Sequence, residues 1–201
     1  MANNQTYRIL TLDPGLTHTG WALIQASLDN DIITVLKIGE FHPGPTVEKK
    51  EYREEVERFD KRTISLAYLR EQLTKLLNEL KPDEVCAEDI FINPHRPAAY
   101  GALAMHQCVT KMVCYDVAKK YLTAIPTKIA KAVMTRSGSS DKLTVQQCIA
   151  SNPDIRFKND DDLYHMTEHE ADSIAVGYVF AKMYKDRVKN DLENKEIDER
   201  K

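Results

Sequence analysis

Residues 7–13 (YRILTLD), followed at once by Pro14-Gly15, then by residues 18–26 (HTGWALIQA) and 32–41 (IITVLKIGEF), decide the fold class. The first run alternates in polarity and stops at Asp-Pro-Gly, a strong turn signal. The second and third are rich in β-formers and are joined by the polar Asp29-Asn30-Asp31. Three neighbouring strands with short turns predict an antiparallel meander.

Downstream, the pattern changes period. His42-Pro43-Gly44-Pro45 breaks the chain and a highly charged stretch leads into a helix. There Leu66, Leu69, Leu73, Leu76, Leu77 and Leu80 recur at three- and four-residue spacing, giving one apolar stripe. Lys81-Pro82-Asp83 ends it. Residues 84–92 (EVCAEDIFI) read as a short central strand buried on both faces.

Residues 98–120 predict a long helix with Leu103, His106, Val109, Val113 and Val117 on its core face, and 122–125 a short strand. Pro126-Thr127 opens a further helix, and Ser140 is expected to cap another beginning at Asp141. Residues 151–167 read as an acidic loop, and 168–184 return to helical periodicity before a charged tail. The order predicts an α/β fold: a mixed five-stranded sheet, meander plus two parallel strands, with helices on both faces.

Composition narrows the function classes. With 201 residues the chain suits one well-packed domain. It contains no run near the roughly 20 apolar residues that span a bilayer. The polar start lacks the pattern of a signal peptide, so a cytoplasmic location with no membrane partner is expected. Cys86, Cys108, Cys114 and Cys148 form no CxxC pair and sit among apolar neighbours, predicting reduced, buried thiols.

The net charge of −3 argues mildly against a polyanionic partner. The acids, however, gather in residues 48–60, 160–162 and 186–199. The middle of the chain carries Arg96, Lys111, Lys119, Lys120, Lys128, Lys131, Arg136 and Lys142, enough for a local basic surface.

The informative acids are those at apolar sites. Asp13 ends the first strand, Glu88 interrupts an apolar run, and Asp172 interrupts the last helix. A lone buried carboxylate is costly unless it is paired or bound to metal. His169 and Asp172 are three residues apart and share a helix face. Singly, Asp13 can serve as a turn residue, Glu88 as a strand-end acid, His169 as a core or surface histidine and Asp172 as a cap. Together they suit Mg²⁺ or Mn²⁺, which take oxygen-rich sites, and two such ions support phosphodiester hydrolysis.

These residues lie within motifs that resemble the RuvC-type Holliday-junction resolvases. Residues 9–24 (ILTLDPGLTHTGWALI) are similar to that family's opening strand pair, and Glu88-Asp89-Ile90-Phe91 to its second motif. Residues 99–107 (AYGALAMHQ) resemble the helix that follows. Ile125-Pro126, Lys128, Lys131-Ala132-Val133, Ser137-Gly138, Asp141-Lys142 and Val145-Gln146 resemble the substrate-side helix and loop. His169-Glu170-Ala171-Asp172-Ser173-Ile174-Ala175 resembles the closing motif, so the likeness runs in order through residues 8–182.

The resemblance implies an RNase H-like fold, a homodimer, and paired Mg²⁺-dependent nicks across a four-way DNA junction. It implies Asp13, Glu88, His169 and Asp172 as the catalytic, metal-binding set, holding two Mg²⁺ ions for which Mn²⁺ can substitute. It further implies that Phe91 stacks on a base, that Lys142 contacts the scissile region, and that Arg96, Lys128 and Lys131 contact the backbone. Residues 1–185 would form the nuclease domain, with residues 43–61 an insertion and 186–201 a charged tail. Other branched DNA, or structured RNA, is the alternative substrate. The Asp-Pro-Gly turn also resembles the phosphate loop of actin-like ATPases, but that fold needs a second Asp-x-Gly strand pair, which this sequence lacks.

Overall fold

A computed structural model describes residues 5–90 and 97–199. Its strands are β1 (Thr6–Asp13), β2 (Thr19–Ser27), β3 (Ile33–Phe41), β4 (Glu84–Glu88), β5 (Leu122–Ile125) and β6 (Ile155–Phe157). They form one sheet in the order β5-β4-β1-β2-β3-β6. The meander β1–β2–β3 is antiparallel, while β4 runs parallel to β1 and β5 parallel to β4. This is the mixed sheet of the RNase H-like fold.

Among the described residues the sheet has six strands rather than five. Ile155–Phe157 lies in the segment read as a loop, yet it pairs in parallel with the outer edge of β3. Three residues are too few to display a period of two, and here the strand is made by the unpaired main chain of β3. Helix α7 (Asp160–His165) follows in the same segment, capped by Asn159.

Alternation along the strands sorts side chains between two cores. Leu10, Leu12, Leu23, Val85 and Ala87 face α3 (Lys61–Leu80) and the end of α4 (Pro97–Val113). Ile9, Ile24, Val35 and Cys86 face α5 (Thr127–Thr135), α6 (Lys142–Ser151) and α8 (Glu168–Glu199). The predicted stripe of α3 is buried at Leu69, Leu73, Leu76, Leu77 and Leu80. Each such leucine contributes about 1.5–3 kcal/mol by burial.

Helix α8 lies almost flush on the sheet at Gly177. A Cβ there would collide with the side chains of Thr11 and, at 2.8 Å, Ile24. The helix continues past Tyr184 to Glu199 without an apolar stripe. Residues 186, 187 and 189–191 are exposed, and strong helix formers such as Lys, Arg and Glu extend a helix already anchored by packing.

Other details differ from the sequence reading. Asp141, not Ser140, caps α6, accepting a bond from the Thr144 amide at 2.8 Å. Ser140 instead bonds Thr135. Helix α5 starts after Pro126, with no side-chain cap bond. Helix α4 gives way to a wider π turn over Cys114–Ala118 and stops at left-handed Lys119. Cys86 and Cys114 are buried and Cys148 is half-buried, but Cys108 is exposed. Its flanking residues, Gln107 and Val109, mix polar and apolar character, and its place on α4 points outward. The connection from β3 to α3 is short helices, α1 (Pro43–Thr46), a 3₁₀ turn and α2 (Arg53–Phe59). Among the described residues, no helix is long and apolar enough to cross a membrane.

Candidate active site

The register of β1 against β4 places the first two acids. Leu12 pairs with Ala87 in a parallel ladder, so Asp13 and Glu88 follow at the same level. By alternation both share the parity of Thr11 and Cys86, and so point to the face covered by α8. The third acid comes from that helix. Asp13 pairs with Gly20 on β2, and a Cβ on Gly20 would fall onto the His169 carbonyl and lie 2.8 Å from its Cβ. Only glycine lets the first turn of α8 approach β2 this closely.

The result is direct contact. His169 Nδ1 lies 2.8 Å from Asp13 Oδ2, and His169 Nε2 lies 3.5 Å from Glu168 Oε1. Asp13 is buried. The Glu88 carboxyl is pushed up to about 8, first by burial, then by its hydrogen bond to Asp13 and the charges of Asp13 and Asp172. The Thr127 hydroxyl, at the first turn of α5, pulls the other way. Three carboxylates and an imidazole thus converge from β1, β4 and α8. Burial, with Asp13 and Asp172 adding to it, makes Glu88 hold its proton tightly, and a cation would relieve the cost of ionising it there.

Two polar residues beside this cluster escaped the sequence reading as site residues. His106, expected as a core-face residue of α4, is buried and bonds Thr19 Oγ1 through Nε2 at 3.1 Å. Burial lowers its pKa to about 4, against the pull of Asp13's charge, so it packs near the acids as a neutral ring. His18, in the β1–β2 turn, stacks on His169 with ring centres 5.5 Å apart and planes 9° apart. The Asp-Pro-Gly turn was a signal for the bend but carried none for the stack.

The candidate DNA contacts divide three ways. Lys128 and Lys131 line a cleft of about 430 Å³ with Asp89, Ile90, Pro126, Thr127 and Gly138, immediately beyond Glu88. Lys142 opens α6, and its side chain lies outside the described residues. Phe91 and Arg96 also lie outside the described residues.

No family model matches the chain. The crossover junction endodeoxyribonuclease RuvC of Caulobacter vibrioides is 27% identical over 150 residues, covering 74% of this chain and 78% of the relative. The structure of Thermus thermophilus RuvC superposes with a TM-score of 0.63 at 15% identity, over 90% of this chain and 98% of that one. T. thermophilus RuvC in complex with a Holliday junction substrate gives a TM-score of 0.59 at 14% identity, over 89% and 96%.

Proposed function

We propose that this chain, a relative of the RuvC-type resolvases in sequence and in fold, is a structure-selective endodeoxyribonuclease that resolves four-way DNA junctions by paired phosphodiester hydrolysis. The observation that carries the reading is the convergence of Asp13, Glu88, His169 and Asp172 at one end of the central strands. The relative similar over most of its length is named for crossover junction cleavage, and a similarly folded protein was captured on a Holliday junction.

The donor set is rich in oxygen, which suits Mg²⁺, with Mn²⁺ as a substitute. Asp13, Glu88, His169 and Asp172 would hold two ions. Bound there, the ions supply activation of water and relief of charge on the phosphate. The protein's own part is positional. Asp13 fixes the His169 ring through Nδ1, and Glu88 is held by β4 at the same level as Asp13. Lys128 and Lys131 offer positive charge along the neighbouring cleft, where a phosphate backbone would run. The roles of Phe91 on a base, and of Arg96 and Lys142 on the backbone, belong to the same proposal.

Two nicks across a junction need two active sites, hence a homodimer. The exposed Met105, Met112, Tyr115 and Tyr121, along α4 and beyond its end, support pairing of two copies. Residues 1–185 make the nuclease unit, 43–61 an insertion and 186–201 an appended charged segment. A cytoplasmic site of action goes with this reading.

Synthetic four-way junctions, forks, three-way junctions, linear duplex and structured RNA, each incubated with Mg²⁺ or Mn²⁺, test it. Symmetric nicks on the four-way junction are the expected outcome. Preferential cutting of forks or RNA would overturn junction resolution while leaving a nuclease.

A further inference from the structure

A second group of ligand atoms lies beside the carboxylates and has no part in the proposed hydrolysis. His18, Glu40 and His42 each present a donor atom, and all three atoms lie within 4.8 Å of one another. The β2–β3 ladder assembles them. Thr19 pairs with Phe41 and Gly20 with Glu40, so His18 and His42, one step beyond the Thr19–Phe41 pair, emerge opposite each other. Their rings meet edge to face, 5.1 Å apart.

Glu40 is the anchor. Its side chain is only 12% exposed, and among the described residues His42 Nδ1, 3.8 Å away, is the nitrogen within ion-pair reach. One carboxylate oxygen accepts a hydrogen bond from the Thr167 hydroxyl, and the charge of Glu40 acts on buried Glu170. A mostly buried carboxylate next to another acid, with two imidazoles turned toward it, is an arrangement that a cation would complete.

We propose that His18, Glu40 and His42 form a second metal site, which binds one ion of the Zn²⁺ class beside the catalytic carboxylates. Two imidazoles and one carboxylate, with an open fourth position for water, are the donor set of a three-ligand Zn²⁺ site. Mg²⁺ prefers oxygen donors, so a set of three carboxylates and one imidazole suits it, whereas two imidazoles and a single carboxylate favour Zn²⁺. Tetrahedral bonds of about 2.1 Å put donor atoms roughly 3.4 Å apart, so the group must close by under about 1 Å per side chain. The Thr167 hydroxyl orients Glu40 from behind, as outer partners of metal ligands do. The bound ion ties the β1–β2 turn to the end of β3. It thereby holds His18 in its stack on His169. This site stands independently of the nuclease reading.

The test uses the full chain, stripped with chelator and titrated with Co²⁺ as a visible-absorption reporter, then with Zn²⁺ as competitor. Wild type and Asp13→Asn are expected to develop a tetrahedral-type Co²⁺ absorption that saturates at one ion per chain and is displaced by Zn²⁺, separate from any Co²⁺ taken up by the carboxylates. His42→Ala and Glu40→Gln should weaken binding by more than about 100-fold, and Thr167→Val by about tenfold. Thermal unfolding in chelator checks that each variant is folded. Should Glu40→Gln not fold, His42→Ala, at a half-exposed position, carries the test alone. Wild-type binding no tighter than that of His42→Ala would overturn the proposal. So would loss of the signal in Asp13→Asn with His42→Ala unaffected, because the ion would then sit among the carboxylates. Mg²⁺-supported junction cleavage by His42→Ala is expected to persist in chelator-treated Mg²⁺ buffer. Absence of cleavage by wild type would touch only the nuclease reading.

Discussion

The carboxylate cluster at the ends of β1 and β4 and the imidazole cluster of His18, Glu40 and His42 are neighbours, joined by the His18–His169 stack. They are built on opposite plans. The first hangs from two central strands and is pressed from above by α8. Burial first, and then the neighbouring acids, push the Glu88 carboxyl up to about 8. The second sits at a hairpin's mouth, with His42 half-exposed. Rigid placement of like charges creates a demand for cations before any arrives. Loosely placed imidazoles create none, and there only Glu40 supplies the pull.

That contrast can be broken from the carboxylate side first. Asp13→Asn removes both a charge and the partner of His169 Nδ1, and should lower junction cleavage by at least about 10³-fold while leaving junction binding measurable by gel shift. Retained cleavage would detach Asp13 from the chemistry. Gly20→Ala strikes both clusters at once. The new methyl displaces the start of α8 from β2, and a shift of about 1 Å in a reacting group costs on the order of 10²-fold. Near-normal turnover together with unchanged Co²⁺ binding would show that α8 can rise without consequence.

The pH dependence sharpens the comparison. Glu88 has a folded pKa raised above its unfolded value. Its proton is retained in the folded state at pH values where the unfolded chain has released it, so stability present below about pH 4.5 is lost as pH rises towards 8. Without divalent metal, Glu88→Gln should therefore raise the melting temperature at pH 8 by on the order of 5–10 °C and leave it little changed at pH 4.5. Equal effects at both pH values would remove the charge-crowding account. The smallest effect tests the connection after β3. Asp60, at φ 91°, caps α3 through the amides of Arg62 and Thr63. Asp60→Ala should cost about 1 kcal/mol, roughly 2–4 °C, with the carboxylate site unaltered. A loss of Mg²⁺-dependent cleavage out of proportion to that shift would couple the connection to the acids.

How far the sequence carries depends on how local each signal is. The meander was legible because Asp-Pro-Gly and Asp29-Asn30-Asp31 punctuate alternating runs, and α3 because six leucines keep one period. The four acidic-site residues stood out as polar groups in apolar surroundings. Strand β6 did not, since Ile155–Phe157 is a strand only through the edge of β3. Exposure of Cys108 depends on which way α4 is rotated, and the capping role of Asp141 on a choice of one residue between two good caps. The group at 18, 40 and 42 needed the pairing register. Had the hairpin been aligned as Thr19 opposite Phe41, the two histidines would have been seen to face each other.

The two glycines at the seam between α8 and the sheet, Gly20 on β2 and Gly177 on the helix itself, set a tolerance for change. Much of this chain could be rewritten with modest penalty, including the exposed acids of α2 and the charged turns of α8. At Gly20 and Gly177, however, a single added methyl has no room, and these two contacts determine how high the helix rides over the strands. A lineage diverging from this sequence can therefore alter its surface and its partners freely, but it has almost no route by which to move its acids apart gradually.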